Sequence, residues 1–171
     1  MAQLVVDGVV QSVLPPPDWG YWKHMVPDTE PKNVLMLGVG LGTTAQMILD
    51  KWPKAQIRGV DNYRINNHKG VDVAIEFILS DAFERVDMEI DLPYTAGQAD
   101  RGYDLVIVDL WSGGWYPTQV FKTEFIAKLK RLLSPDGKIY INAPNIEKCA
   151  KLNNLKVRGE SEGESIVYET T

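Results

Sequence analysis

The segment from Asn33 to Asp61 constrains the fold more than any other part of the chain. An apolar run, a glycine loop, a helical stretch and a second apolar run ending in an acid follow one another. Val34-Leu35-Met36-Leu37 predicts a buried strand, Gly38-Val39-Gly40-Leu41-Gly42 the loop after it, and Thr43-Thr44 the cap of a helix that stops at Pro53. Ile57-Arg58-Gly59-Val60 predicts a neighbouring parallel strand with Asp61 at its tip. A chain that turns sharply from strand to helix needs positive φ, and a ligand resting on that turn needs backbone without Cβ. The helix start adds unpaired N–H groups and a partial positive charge. Asp61, twenty-three residues after Gly38, falls where a carboxylate can accept ribose hydroxyls. The segment therefore predicts a nucleoside cradle.

A length of 171 residues, with 44% hydrophobic and 24% charged content, suits one globular unit with its own core. No run approaches the roughly 18 apolar residues of a membrane span, and Met1 to Val13 lacks the pattern of a signal peptide. A cytoplasmic protein that does not act at a membrane is expected. A net charge of −5 speaks against a nucleic-acid surface, which needs clustered Lys and Arg. Cys149 stands alone and the histidines are His24 and His68, so neither a disulfide framework nor a metal site is expected.

Along the chain, Leu4-Val5-Val6 and Val9-Val10-Gln11 flank Asp7-Gly8, the favoured pair for a two-residue hairpin turn. Pro15-Pro16-Pro17 ends that hairpin, and the segment to Pro31 reads as a loop carrying Trp19, Tyr21, Trp22, Lys23 and His24. Asn62 to Gly70 is polar and short; Val73 to Leu79 predicts a third strand ending at Ser80-Asp81; Ala82 to Glu89 predicts a short helix and Asp91 to Gly102 a loop. Tyr103 to Asp109 is the nearly continuous apolar run of a strand buried on both faces, again tipped by an aspartate. Thr118 to Leu133 predicts one helix, with Phe121, Phe125, Leu129 and Leu132 on one face. Ser134 to Gly137 predicts a turn into strand Lys138 to Asn142, and Leu155 to Arg158 with Ser165 to Thr170 a closing antiparallel pair. The expected architecture is α/β, a doubly wound, mostly parallel Rossmann-like sheet with antiparallel C-terminal edge strands and a small N-terminal β-hairpin. The expected division is an N-terminal hairpin and aromatic loop over residues 1–31 and a nucleoside-binding catalytic domain over 32–171.

The order Val34 to Gly42, Gly59-Val60-Asp61, Ser80-Asp81-Ala82, Asp104 to Asp109 and Leu133 to Gly137 resembles the class I S-adenosylmethionine-dependent methyltransferase fold. The opening Leu4 to Gln11, followed by Tyr21-Trp22-Lys23-His24-Met25 and the glycine loop, narrows the resemblance to the spermidine synthase-like, or polyamine synthase, branch. It covers Leu4 to about Ala143. The resemblance implies that S-adenosylmethionine, or alternatively its decarboxylated form, is bound. Asp61 with Asn62 beside it would take the ribose hydroxyls, and Asp81, with Ser80 and Ala82 beside it, the adenine amino group. Gly38, Gly40 and Gly42 would let the backbone approach the amino-acid or aminopropyl part. Asp109 would occupy the proton-acceptor position, and Gln11 and Tyr21 would fall near the acceptor. Trp111, Trp115 and Tyr116 follow Asp109 and offer rings to a planar or ammonium-bearing acceptor.

Two departures bear on the reaction. The resembled family has an aspartate where this chain has Leu41, and reads Asp-Ser-Ser-Asp where this chain has Asp109-Leu110-Trp111-Ser112. A polyamine carries several ammonium charges that must meet carboxylates when they leave water. Methyl transfer to a small acceptor, an amine or a planar compound, is accordingly expected ahead of aminopropyl transfer, although Asp104, Glu76 or Glu84 could substitute for the missing acids. A non-catalytic nucleoside-binding or interaction domain is the alternative from another class. A nicotinamide site fits less well, because Thr43 stands at the sixth fingerprint position. The strand end Asp109-Leu110-Trp111 lacks the Asp-Pro-Pro-Tyr type of motif of DNA amino-methyltransferases. The short segment between Asp61 and Val73 leaves one sheet face thinly covered, to be filled by the aromatic loop or by the partner in a homodimer.

Overall fold

The computed structural model describes residues 1–63, 73–91, 102–111, 114–144, 154–160 and 165–170. The expectations for Asn62 to Gly70 beyond Tyr63, for most of Asp91 to Gly102, and for Ser112, His68 and Cys149 fall outside those residues. Strands β1 (Ala2–Val6) and β2 (Val9–Leu14) form a two-stranded antiparallel sheet. Asp7 and Gly8, at φ 51° and 80°, take the left-handed pair that such a turn requires. The remaining strands are β3 (Asn33–Leu37), β4 (Gln56–Asp61), β5 (Glu76–Leu79), β6 (Tyr103–Val108), β7 (Leu133–Ala143), β8 (Leu155–Glu160) and β9 (Ile166–Thr170). They form one sheet in the order β5-β4-β3-β6-β7-β9-β8, parallel from β5 to β7 and antiparallel at β9 and β8.

Side-chain alternation along the central strands builds two cores. Leu35, Leu37, Val106, Val108, Ile139 and Ile141 pack with helices α2 (Ala82–Asp91) and α3 (Thr123–Arg131), through Val86, Phe125, Ile126 and Leu129. Val34, Met36, Leu105, Ile107 and Tyr140 face the other way, onto helix α1 (Thr43–Lys51) through Ala45 and Ile48. That second face is also covered by Met25 and Val26, so the aromatic loop reaches the sheet. Each such buried aliphatic side chain stabilises the fold by about 1.5–3 kcal/mol, which is why the central strands read as continuous apolar runs.

Several expected boundaries differ. The segment to Pro31 is not all loop: Tyr21–Met25 forms a 3₁₀ helix that buries Trp22 and Met25. Strand β5 begins at Glu76 rather than Val73, because Val73 and Ile75 lie against Gly42 and Gly59 and cover the glycine loop. The expected helix Thr118 to Leu133 is broken. Thr118–Phe121 is a 3₁₀ turn, Lys122 is extended, and α3 follows. In a continuous helix Val120 would lie about 140° around from Phe125; the break buries both in one core. Ser134 to Gly137 belong to β7, whose register against β6 shifts between Tyr103 and Leu105. Thr43 and Thr44 do not cap α1. Gly42, at φ 89°, holds the N-cap without a side-chain bond, because the Thr43 hydroxyl is used elsewhere.

Candidate active site

Strand order reverses between β3 and β6, and the carboxyl ends of these strands therefore flank an open crevice. Gly38 ends β3 there. Its N–H donates to the Val60 carbonyl at 2.8 Å, and the Asp109 N–H donates to the Leu37 carbonyl at 2.8 Å. A Cβ on Gly38, at φ 86°, would stand 2.0 Å from the Asp109 carbonyl oxygen, so the backbone just beyond β6 excludes every other residue. Gly40 has a different constraint: a Cβ there would meet Ser12 of the hairpin at 3.0 Å.

The hairpin is fastened to this loop by a buried hydroxyl pair. Thr43 Oγ1 donates to the Val13 carbonyl at 2.7 Å and accepts from the Val13 N–H at 2.8 Å. Since the Thr43 proton is thus used, Ser12 Oγ donates to Thr43 Oγ1 at 2.7 Å, and it accepts from the Leu41 N–H at 3.0 Å. Both side chains are buried, the Thr43 hydroxyl makes its full three hydrogen bonds and the Ser12 hydroxyl two, which fixes β2 as one wall of the crevice.

The crevice is a cleft of about 760 Å³. Among the described residues three carboxylates line it. Asp61 Oδ2 accepts from the Val39 and Gly40 N–H groups at 2.8 and 3.1 Å, and Oδ1 from the Tyr63 N–H at 3.1 Å. A carboxylate offers about four lone-pair sites, so one remains on Oδ1. Asp81 Oδ1 caps α2, accepting from the Phe83 and Glu84 N–H groups at 2.8 and 3.1 Å, which leaves Oδ2 without a partner in this cap. Asp109 Oδ2 accepts from the Tyr21 hydroxyl at 2.9 Å, and Oδ1 from Asn142 Nδ2 at 2.9 Å.

Burial pushes the Asp109 carboxyl up to about 6, and the Asp61 charge acts in the same direction; the hydrogen bonds from Asn142 and Tyr21 hold it from rising further. Tyr21 is pushed well above its ordinary value by burial and by the Asp109 charge. It therefore stays protonated and donates. Tyr116 is raised by burial and by Asp109 in the same way.

Of the residues expected at a site, the cleft brings together Gln11, Tyr21, Gly38, Gly40, Asp61, Asn62, Asp81, Ala82, Asp109, Trp111 and Trp115. Three lie elsewhere. Gly42 faces Val73 at the helix cap, the Ser80 hydroxyl turns to the Asp81 carbonyl, and Tyr116 is buried between Trp111 and Phe121. Nor do the acids named as substitutes reach the cleft. Asp104 accepts from the Lys32 and Asn33 N–H groups and the Ser134 hydroxyl at the opposite end of the sheet. Glu76 pairs with Arg58 at the start of β5, and Glu84 is exposed outside the cleft. Leu41 is buried and does not line the cleft. Among the described residues no Lys, Arg or His lines it either, and no group of His, Cys, Asp and Glu forms a metal cluster. Sequence reasoning missed Asn142, a polar residue closing the apolar run Ile139-Tyr140-Ile141, and the Ser12–Thr43 pair. The first carried the strand-tip signal that picked out Asp61 and Asp109; the second is visible only once the hairpin docks.

No family model matches the chain. It is 30% identical over 110 residues to a probable polyamine aminopropyl transferase of Bifidobacterium longum, a match covering 64% of this chain and 24% of that protein. It is 28% identical over 130 residues to an N-terminal histidine N-methyltransferase of Emericella nidulans, covering 70% and 21%. The chain thus spans about a quarter of the length of the curated relatives it matches. Among solved structures it is similar to a spermidine synthase in complex with the transition-state analogue AdoDATO, with a TM-score of 0.66, 16% identity and 95% and 63% coverage. It is also similar to human methyltransferase-like protein 13 in complex with SAH, with a TM-score of 0.61, 18% identity and 82% and 72% coverage. Among the described residues no helix is long and apolar enough to cross a membrane.

Proposed function

We propose, from the premise that this chain has the class I S-adenosylmethionine-dependent methyltransferase fold in its spermidine synthase-like form, that it transfers a carbon group from a sulfonium nucleoside to a small-molecule acceptor. Methyl transfer from S-adenosylmethionine is the leading reaction. The observation that carries this reading is the convergence of Asp61, the Gly38 turn and Asp109 on one cleft at the strand-order reversal. The cleft suits such a donor: it holds three carboxylates and, among the described residues, no cation, and a sulfonium is a cation.

In this reading Asp61 takes one ribose hydroxyl through its remaining Oδ1 lone pair, and Asn62 takes the other. Asp81 Oδ2 faces the adenine amino group while Oδ1 keeps α2 capped. When bound, the donor supplies an electrophilic carbon on a good leaving group. The chain then has to orient the acceptor, exclude water and take a proton. Asp109 is the proton acceptor, poised near neutrality by its burial. Tyr21 and Asn142 position its two oxygens, and Tyr21, Trp22, Trp111 and Trp115 wall off water. A cytoplasmic setting, which a single cysteine suits, and a homodimer, which light scattering tests, belong to the same reading.

Aminopropyl transfer from the decarboxylated donor is the second reading. It is favoured by the lack of a cation for the donor's carboxylate among the described lining residues, and opposed by the absence of an acid at position 41. Calorimetry with S-adenosylmethionine, its decarboxylated form and methylthioadenosine separates them. Tighter binding of the carboxylated donor is expected. Preference for the decarboxylated one turns the assignment to aminopropyl transfer, and no binding of any of the three removes both.

A further inference from the structure

We propose that the acceptor is a monoamine with an aromatic body, carrying one ammonium group that meets Asp109 and a ring held by Trp111 and Trp115. The inference rests on the transferase reading above and adds the chemical class of its acceptor. It comes from what surrounds Asp109. The sequence that follows β6, from Leu110 to Gln119, contains no acid and no base. Its Leu110, Trp111, Trp115 and Pro117 line the cleft on the Asp109 side. The hairpin and the 3₁₀ helix contribute Leu4, Val6, Ser12, Tyr21 and Trp22, which are also uncharged, with Tyr21 bonded to Asp109 itself. Among the described residues the other two acids of the cleft are engaged once the donor is bound: Asp61 holds the glycine loop, Tyr63 and a ribose hydroxyl, and Asp81 caps α2 and meets the adenine amino group.

A diamine entering this half of the cleft would leave its second ammonium against indole, leucine and proline. Burying an unpaired ammonium costs several kcal/mol, more than the apolar walls return. An aromatic body has the opposite balance. It gains area against Trp111 and Trp115, ring pairs add about 0.5–1.5 kcal/mol each, and its single cation finds a carboxylate and the faces of indole rings. Trp115 is 61% exposed, so it offers a free ring at the cleft mouth.

The chemistry balances with the groups present. The ammonium gives one proton to the Asp109 carboxylate. The freed nitrogen lone pair forms the new C–N bond to the donor carbon, the C–S bond breaks, and its electron pair stays on sulfur as a neutral thioether. The product leaves as an alkylated ammonium, and Asp109 later releases its proton to water.

The test uses the whole chain and two readouts. Binding of phenethylamine and of 1,4-diaminobutane is measured by quenching of tryptophan fluorescence, without donor and with methylthioadenosine. Turnover of each amine with S-adenosylmethionine is measured by mass spectrometry of the products. The expected result is at least tenfold tighter binding and faster turnover of phenethylamine, with Trp115→Glu, a surface change, reversing the preference towards the diamine. Preference for the diamine in the native chain, with methylthioadenosine still bound, overturns the acceptor class and leaves the transferase reading standing. Failure of methylthioadenosine and S-adenosylmethionine to bind overturns both.

Discussion

At the scale of single residues, Asp109 joins a stability cost to a chemical use. Its folded pKa of about 6 lies above the ordinary carboxylate value, so the native chain holds this proton more tightly than the unfolded chain. Stability therefore falls as pH rises from about 4 to about 6, and the full cost, at most about 3 kcal/mol, persists above that range. Asp109→Asn preserves the shape and lets the amide donate to Tyr21. The variant should be more stable than the native chain by about 1–3 kcal/mol at pH 8 and gain far less at pH 4, as read from urea denaturation. The same variant should lose about 10²–10⁴-fold in turnover. The native kcat/KM should rise with pH through about 6, because the ionised form is the base; a profile flat across that range would reduce Asp109 to a structural acid. Tyr21→Phe removes a donor that holds the carboxylate ionised, so the acid limb should move upward by about one pH unit. Asp81 separates its two roles differently. Asp81→Ser keeps an N-cap and Asp81→Ala does not, so only Ala should cost about 1 kcal/mol of stability, while both should weaken donor binding. Equal donor affinity in both would leave Asp81 as a cap.

At the scale of elements, the hairpin and the glycine loop behave as one unit through Ser12 and Thr43. Thr43→Val is nearly isosteric but leaves the Val13 N–H and carbonyl and the Ser12 hydroxyl short of partners inside the protein. It should cost about 2–4 kcal/mol in denaturant unfolding, since each stranded group costs about 1–3 kcal/mol and neighbouring backbone relaxes in part. A loss below 0.5 kcal/mol would show that the hairpin is not anchored there. The glycine loop, the two strand-tip acids and the hairpin turn were legible because each depends on local rules: positive φ at Asp7-Gly8 and Gly38, and continuous apolar runs along β3 and β6 that are buried on both faces. The split at Lys122 was not, because the spacing of Phe121, Phe125 and Leu129 fits one helix, and only the burial of Val120 on the common core decides against it. Thr43 was misread as a cap for the same kind of reason. Its partner is thirty residues away in the hairpin, and no local pattern announces that contact. The commitment of Glu76 and Asp104 to the far end of the sheet likewise follows from strand direction and pairing rather than from composition.

At the scale of the whole molecule, Arg158 ties the N-terminal segment to the last strands. Its Nε donates to the His24 carbonyl at 2.8 Å and one terminal nitrogen to the Val26 carbonyl at 3.0 Å, while the other meets Glu169 and Asp28 at 3.2 and 3.0 Å. The guanidinium also lies 4.5 Å from the Tyr140 ring centre. Met25 and Val26, which cover one sheet face, are held down by this contact, so the covering of the sheet and the placing of Tyr21 against Asp109 belong to one arrangement. That arrangement walls the crevice at the carboxyl ends of β3 and β6, which in the proposed function a sulfonium nucleoside occupies. A crystal structure of the chain with methylthioadenosine tests this most directly. The ribose hydroxyls should lie on Asp61 and Asn62, the adenine amino group on Asp81, and the sulfur should turn towards Asp109. Nucleoside bound outside the cleft, or inside it with the ribose away from Asp61, would contradict it.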